Sequence, residues 1–193
     1  MTSSSREALV ELLGKVVPRD EKEQKDLAYM LDKARTLSEP CSRTEAEAHF
    51  TGSAFIVDPS GERVCLIKHL KLNRWLQPGG HVEPEDEDQP LRAAIRETKE
   101  ETDLDVRLFD LDMAHPFDID VHAFPARGDQ PGHWHMDLRF LCVTDAPEAL
   151  RVNEAEAGGA EWVAWDEAIA RTGGEPAYVR CLQKARELSQ GSV

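Results

Sequence analysis

Three glutamates, Glu97, Glu100 and Glu101, fall within RETKEETDL, residues 96 to 104, with Asp103 close behind. On a helix that turns by about 100° per residue, Glu97 and Glu101 stand one turn apart with Glu100 beside them, so all three share a sector. Like charges this close repel by a few tenths of a kcal/mol per pair, which a solvated helix face tolerates. The same sector also suits a hard cation. Oxygen-only ligands select Mg²⁺ or Mn²⁺, and Mg²⁺ shares its shell with water and substrate phosphates.

A second group of chemically capable residues alternates along two β-rich runs. In HWHMDLRFLCV, His133, His135, Asp137 and Arg139 oppose Trp134, Met136, Leu138, Phe140 and Cys142; in DIDVHAF, Asp118, Asp120 and His122 oppose Ile119, Val121 and Ala123. A strand's period of two sends each set to one face. The polar set fits a wet sheet face, a substrate pocket or a further metal site. If the strands pair, the polar set is expected on the face that meets the glutamate helix, with the apolar set turned to a core on the other side. Lys68, His69, Lys71 and Arg74 form a third group, suited to phosphate contacts or to a solvated loop. Trp75 beside them could stack on a ring or join the core.

The elements that must position these residues follow from periodicity. Ser4 with Glu7, and Asp20 with Glu23, have capping-box spacing ahead of apolar residues at helical intervals, with Pro18 between the two helices. From His49 the period shortens. The runs AFIV and VCLI around DPSG predict a hairpin. A helix is expected from Pro90, its face made of Leu91, Ala94, Ile95, Thr98 and Thr102. Turn-rich PARGDQPG separates the two alternating strands. EWVAW reads as a strand, Asp166 as a helix cap and PAYVRCLQKARELS as a closing amphipathic helix.

Composition narrows the partners. The 193 residues carry 37 acidic against 23 basic side chains, a net charge of −14, which disfavours a long nucleic acid or an anionic membrane and leaves a small phosphate compound. Cys41, Cys65, Cys142 and Cys181 lack CxxC spacing and read as buried thiols in a reducing compartment. The opening MTSSSREALVELLGKVV lacks the apolar run of a signal peptide, so a cytoplasmic protein is expected. Composition leaves monomer and homodimer both open.

The stretch PGGHVEPEDEDQPLRAAIRETKEETDL resembles the box of the Nudix hydrolases, which runs Gly, five residues, Glu, seven residues, then Arg-Glu-apolar-any-Glu-Glu-any-Gly-apolar. Gly80 takes the place of the box glycine, and Arg96, Glu97, Glu100, Glu101 and Leu104 match in place. Asp88 is set at the first glutamate, which leaves two extra residues between it and Gly80; Asp103 replaces the late glycine and Thr98 an apolar residue. HLKLNRWLQPGGHVE is also similar to a bacterial, MutT-like subgroup with an N-terminal helical extension.

The resemblance implies an α/β fold, a Nudix α/β/α sandwich with a mixed sheet over residues 46–193, preceded by a helical extension over 1–45. It implies attack of water on phosphorus in a diphosphate joined to another moiety. Mg²⁺ or Mn²⁺ would be held by Glu97, Glu100, Glu101 and the Gly80 carbonyl, with Glu97 or Glu101 as an alternative base. Arg96 would join the catalytic set, with Asp88 as its structural partner. A further base outside the box is sought among Glu154, Glu156 and Asp120. Lys68, Arg74, Trp75, Asp120, His122, His133, His135 and Asp137 are the candidates for substrate binding. Two rivals share the fold: a ligand sensor without turnover, and a diphosphate isomerase, which would need a cysteine near the box.

Overall fold

The computed structural model describes residues 1–70, 72–126, 131–155 and 157–191. Two helices, α1 (Ser3–Gly14) and α2 (Glu21–Thr36), come first. The cap of α1 is Thr2 rather than Ser4: the Thr2 hydroxyl accepts from the Ser5 N–H at 3.0 Å, and Ser4 falls inside the first turn. Asp20 caps α2 as expected, accepting from the Glu23 N–H at 2.8 Å. The Glu23 carboxylate does not return to Asp20 but accepts from the Arg19 N–H at 2.6 Å and from Lys184 at 2.5 Å.

The strands β1 (Ala48–Val57) and β2 (Arg63–His69) form the expected antiparallel hairpin. Short strands β3 (Arg74–Leu76) and β4 (Gly79–His81) lead to α3 (Pro90–Thr102), with Pro90 in its first turn. Then come β5 (Arg107–Leu108), β6 (Asp118–Phe124), β7 (His133–Val143), β8 (Ala157–Ala164), α4 (Trp165–Arg171) and α5 (Pro176–Gln190). The residue before α4 is Ala164, so Asp166 lies in the first helical turn and is not its cap.

The sheet runs β3-β2-β1-β7-β5, with β4 on β1, β6 on β7 and β8 on β2. It is mixed because β1 and β7 run parallel while the other pairs are antiparallel. Every residue of β1 is buried. A central strand covered on both faces needs no alternation, which is why AFIV reads as a continuous apolar run. On one face Phe50, Ala54, Ile56, Met136, Leu138 and Phe140 pack with Leu13, Met30 and Ala94 from α1, α2 and α3. On the other, Phe55, Val57, Leu66 and Leu141 pack with Trp165, Tyr178 and Leu182 from α4 and α5. This is an α/β/α sandwich, and no helix among the described residues is long and apolar enough to cross a membrane.

The strands β6 and β7 pair as expected, with Asp118 opposite Arg139, Asp120 opposite Asp137 and His122 opposite His135. Their polar face is the reverse of the expected one. Gly52 sits beside Leu138 in the β1–β7 register, and a Cβ on Gly52 would lie 1.9 Å from the Pro90 carbonyl oxygen. The face carrying Leu138 therefore meets α3, and the polar set turns toward α5 and the start of α2. There Arg139 pairs with Asp118 at 3.1 Å, and Arg180 with Asp118 at 2.9 Å. The open edge of β6 is closed by α2, whose Asp26 accepts from the Val121 N–H at 3.1 Å.

Candidate active site

The box is assembled where β4 passes beneath α3. Gly80 pairs with Gly52 in β1. A Cβ on Gly80 would stand 2.3 Å from Glu97 Oε1, so only glycine lets that carboxylate lie against the strand. Glu101, 7% exposed, accepts from the Gly79 N–H at 3.1 Å. Glu100 is more exposed and accepts from Arg96 at 3.2 Å. Burial pushes the Glu97 carboxyl above its usual range, and the Arg96 guanidinium, 3.0 Å away, works against that shift. Two of the three glutamates thus meet the backbone at Gly79 and Gly80, with Glu100 at the solvent side.

Arg96 organises this group. Besides Glu97 and Glu100, it donates to the His81 carbonyl at 2.8 Å. Its acidic partner is Asp86, not Asp88: Arg96 Nε reaches both Asp86 oxygens at 3.2 and 3.3 Å, and its terminal nitrogen reaches one at 2.9 Å. Asp86 stands five intervening residues after Gly80, so the first half of the box keeps its spacing and the two extra residues, Glu87 and Asp88, follow it. Both adopt left-handed backbone, φ +54 and +61, and so accommodate the insertion as a turn ahead of α3. Asp103 ends α3 at φ +57, the conformation expected where the box has glycine.

Residues 49 to 185 match the NUDIX domain model. The chain belongs to the Nudix family. A hydrolase of the NUDIX family from Clostridium perfringens is similar in structure, 27% identical, with 72% of this chain and 97% of the other covered and a TM-score of 0.54. An Ap4A hydrolase from C. elegans shares the fold at 19% identity, covering 74% of this chain and 98% of the other, with a TM-score of 0.56. No curated protein gives a significant match. As a Nudix-type pyrophosphohydrolase the chain carries α1 and α2 ahead of the matched region.

The remaining candidates divide by position. The segment after the 3₁₀ turn Pro147–Ala149 docks on the end of the Nudix helix: the Arg151 N–H donates to the Thr102 carbonyl at 2.9 Å and Asn153 Nδ2 to the Glu100 carbonyl at 3.1 Å. Exposed Glu154 lies on that segment. Glu156 and Lys71 lie outside the described residues. Asp120 is withdrawn as a base. It is 5% exposed and bound to Lys22 at 2.6 Å, His122 at 3.1 Å and Arg139 at 3.3 Å. Burial alone would raise its carboxyl, but Arg139, His122 and Lys22 hold it far below the ordinary range, where it takes up no proton. Asp137 is likewise occupied, accepting from Ser53 at 2.8 Å, Thr51 at 3.1 Å, Arg139 at 3.2 Å and Gln77 at 3.3 Å.

Arg74 donates to the Thr172 carbonyl and the Glu175 carboxylate, each at 3.3 Å, and so ties β3 to the α4–α5 connection. Trp75 is half-buried, with the Arg171 guanidinium 5.0 Å and the Lys68 ammonium 5.9 Å from its ring centre. His69 accepts from the Leu72 N–H at 3.3 Å, a local turn contact. The histidines His122, His133 and His135 gather with two residues that sequence reasoning passed over, His49 and His81. These two are separated from β7 along the chain and arrive only through strand register, His49 opposite His135 and His81 through the β1–β4 pairing.

Proposed function

We propose that this Nudix protein is a metal-dependent hydrolase of a nucleoside diphosphate joined to another moiety, acting on phosphorus. The observation that carries the reading is the seating of Glu97 and Glu101 on the Gly79–Gly80 backbone, with Arg96 joining Glu97, Glu100 and Asp86. The donor set is all oxygen, which fits Mg²⁺ or Mn²⁺. Glu97, Glu100 and Glu101, with the Gly80 carbonyl, would hold the ion. Bound there, a divalent cation supplies charge for the phosphate oxygens and lowers the pKa of a water.

The chain's own residues do the rest. Arg96 favours the ionised form of Glu97 against the burial that opposes it, which a ligand or base requires. Glu101 is fixed in place by the Gly79 N–H. Glu154 stands as the outer base candidate beside the C-terminal end of the helix. Residues 46–193 form the hydrolase unit in this reading and 1–45 its extension, in a cytoplasmic protein whose four free cysteines are all buried.

Among the described residues the thiols near the box do not suit the isomerase alternative: burial and the nearby Glu101 push Cys65 up to about 12, and burial also pushes up Cys41, whose thiol meets the Asp88 carbonyl. The test is a screen of nucleoside diphosphate compounds with Mg²⁺ or Mn²⁺, products read by mass. Glu97→Gln and Glu101→Gln should each lower turnover by roughly 10² or more with the fold retained. Wild-type rates in either variant would refute the assignment, and no hydrolysis of any compound would favour a ligand sensor.

A further inference from the structure

Five imidazoles crowd one corner of the sheet, on the face turned away from α3. The His135 ring centre lies 4.9 Å from that of His49, 5.0 Å from those of His81 and His133, and 5.5 Å from that of His122. One ring nitrogen from each of His49, His81 and His135 falls within 4.8 Å of the others. Three strands deliver them: β1, β4 and β7.

The outer hydrogen bonds set the tautomers. A carbonyl oxygen can only accept, so His49 Nδ1–H donates to Glu45 at 3.4 Å and His133 Nδ1–H to Pro131 at 3.1 Å. His122 Nδ1–H donates to the ionised Asp120 at 3.1 Å. Each bond leaves a lone pair on Nε2, and an oxygen acceptor on the far nitrogen is how a metal-bound histidine is oriented. His49 is 1% exposed, and its Nε2 is the one buried side-chain polar atom without a hydrogen-bond partner among the described residues. Such an atom in an otherwise satisfied interior calls for a ligand. His133 Nε2 lies 3.1 Å from His135 Nε2, a distance that needs a proton or a cation between two nitrogens.

We propose that His49, His81 and His135 form a second metal site, specific for a borderline transition metal such as Zn²⁺ and distinct from the carboxylate site, with His133 placed to complete the shell. The cluster contains no carboxylate, so it does not suit Mg²⁺, whereas imidazole nitrogens suit zinc. Tetrahedral zinc at about 2.0–2.1 Å from nitrogen needs ligand nitrogens about 3.4 Å apart, which side-chain rotation can reach from the observed spacing. The ion would clamp β4 to β1 and β7. Because β4 carries Gly79 and Gly80, the clamp would brace the strand on which Glu97 and Glu101 rest.

The test uses the full chain, stripped with a chelator, dialysed and titrated with ZnCl₂ by calorimetry and with CoCl₂ by visible absorption, without nucleotide. One tight equivalent of Zn²⁺ is expected, undisturbed by about a thousandfold excess of Mg²⁺, with the absorption bands of tetrahedral Co²⁺. It should persist in the Glu97→Gln, Glu101→Gln double variant. It should weaken by roughly 100-fold or more in His49→Ala and His135→Ala. Half-buried His81→Asn gives a second variant should the buried changes prevent folding. A wild-type chain that holds Zn²⁺ no more tightly than Mg²⁺ overturns the proposal. So does a tight equivalent that the glutamate changes abolish and the histidine changes leave intact.

Discussion

Exchanging the acids before α3 separates two structures for the box. Asp86 is 3% exposed and its carboxylate takes three contacts from Arg96 and one from the Glu83 N–H at 2.9 Å. Breaking a buried ion pair by removing one charge costs roughly 3–5 kcal/mol. Arg96 is partly exposed and keeps Glu97, Glu100 and the His81 carbonyl, and an asparagine still offers one acceptor, so Asp86→Asn should cost about 2–3 kcal/mol. At about 2–4 °C per kcal/mol for a chain of this size, the melting temperature should fall by about 4–12 °C. Turnover should fall as well, by roughly tenfold, because Arg96 orients Glu97. Asp88→Asn should stay within about 0.5 kcal/mol of wild type, since asparagine tolerates its left-handed backbone and the Asp88 carbonyl contact to Cys41 at 3.7 Å is untouched. Asp86→Glu should recover most of both quantities. Calorimetric melting and product release by mass measure them. Equal losses in the two asparagine variants, or a larger loss at Asp88, would refute the Asp86–Arg96 assignment.

Asp118→Asn, which leaves Arg139, Arg180 and Lys184 short of a buried carboxylate, should destabilise the fold by roughly 3–5 kcal/mol in urea unfolding. Burial works to raise the Asp118 carboxyl, but Arg180, Arg139 and Lys184 hold it below the ordinary value. Its contribution is therefore complete above the unfolded pKa of about 3.9 and is lost as pH falls through the folded value. Wild-type stability should accordingly drop more steeply than that of Asp118→Asn between about pH 5 and 2, and parallel curves would show that the shift is absent. Gly52→Ala should cost about 1–3 kcal/mol, because its Cβ would meet the Pro90 carbonyl and force α3 away from β1; unchanged melting would refute that contact. Gly80→Ala should spare the melting temperature more than Gly52→Ala does, since the Glu97 side chain can swing aside, yet lower turnover by about tenfold or more; wild-type turnover would disprove the close seating of Glu97.

Local periodicity was enough to place α3, the hairpin and the alternating strands, because burial of one face imposes a repeat on neighbouring residues. It also put Glu97, Glu100 and Glu101 in one sector, while the resemblance to the Nudix box set Asp103 at the late glycine, where the structure has left-handed backbone. What periodicity does not carry is the identity of the layer each face meets. Strand alternation in β7 separates Asp137 from Leu138 but says nothing of whether α3 or α5 covers either; the close approach of Gly52 to Pro90 decides that. Asp86 was legible from its distance to Gly80, but choosing it over Asp88 depended on two left-handed residues taking up the insertion. His49 and His81 had no local signal. A parallel pairing and a short antiparallel one bring them to His135, and such pairings join residues far apart in the chain through register, which only the folded sheet determines.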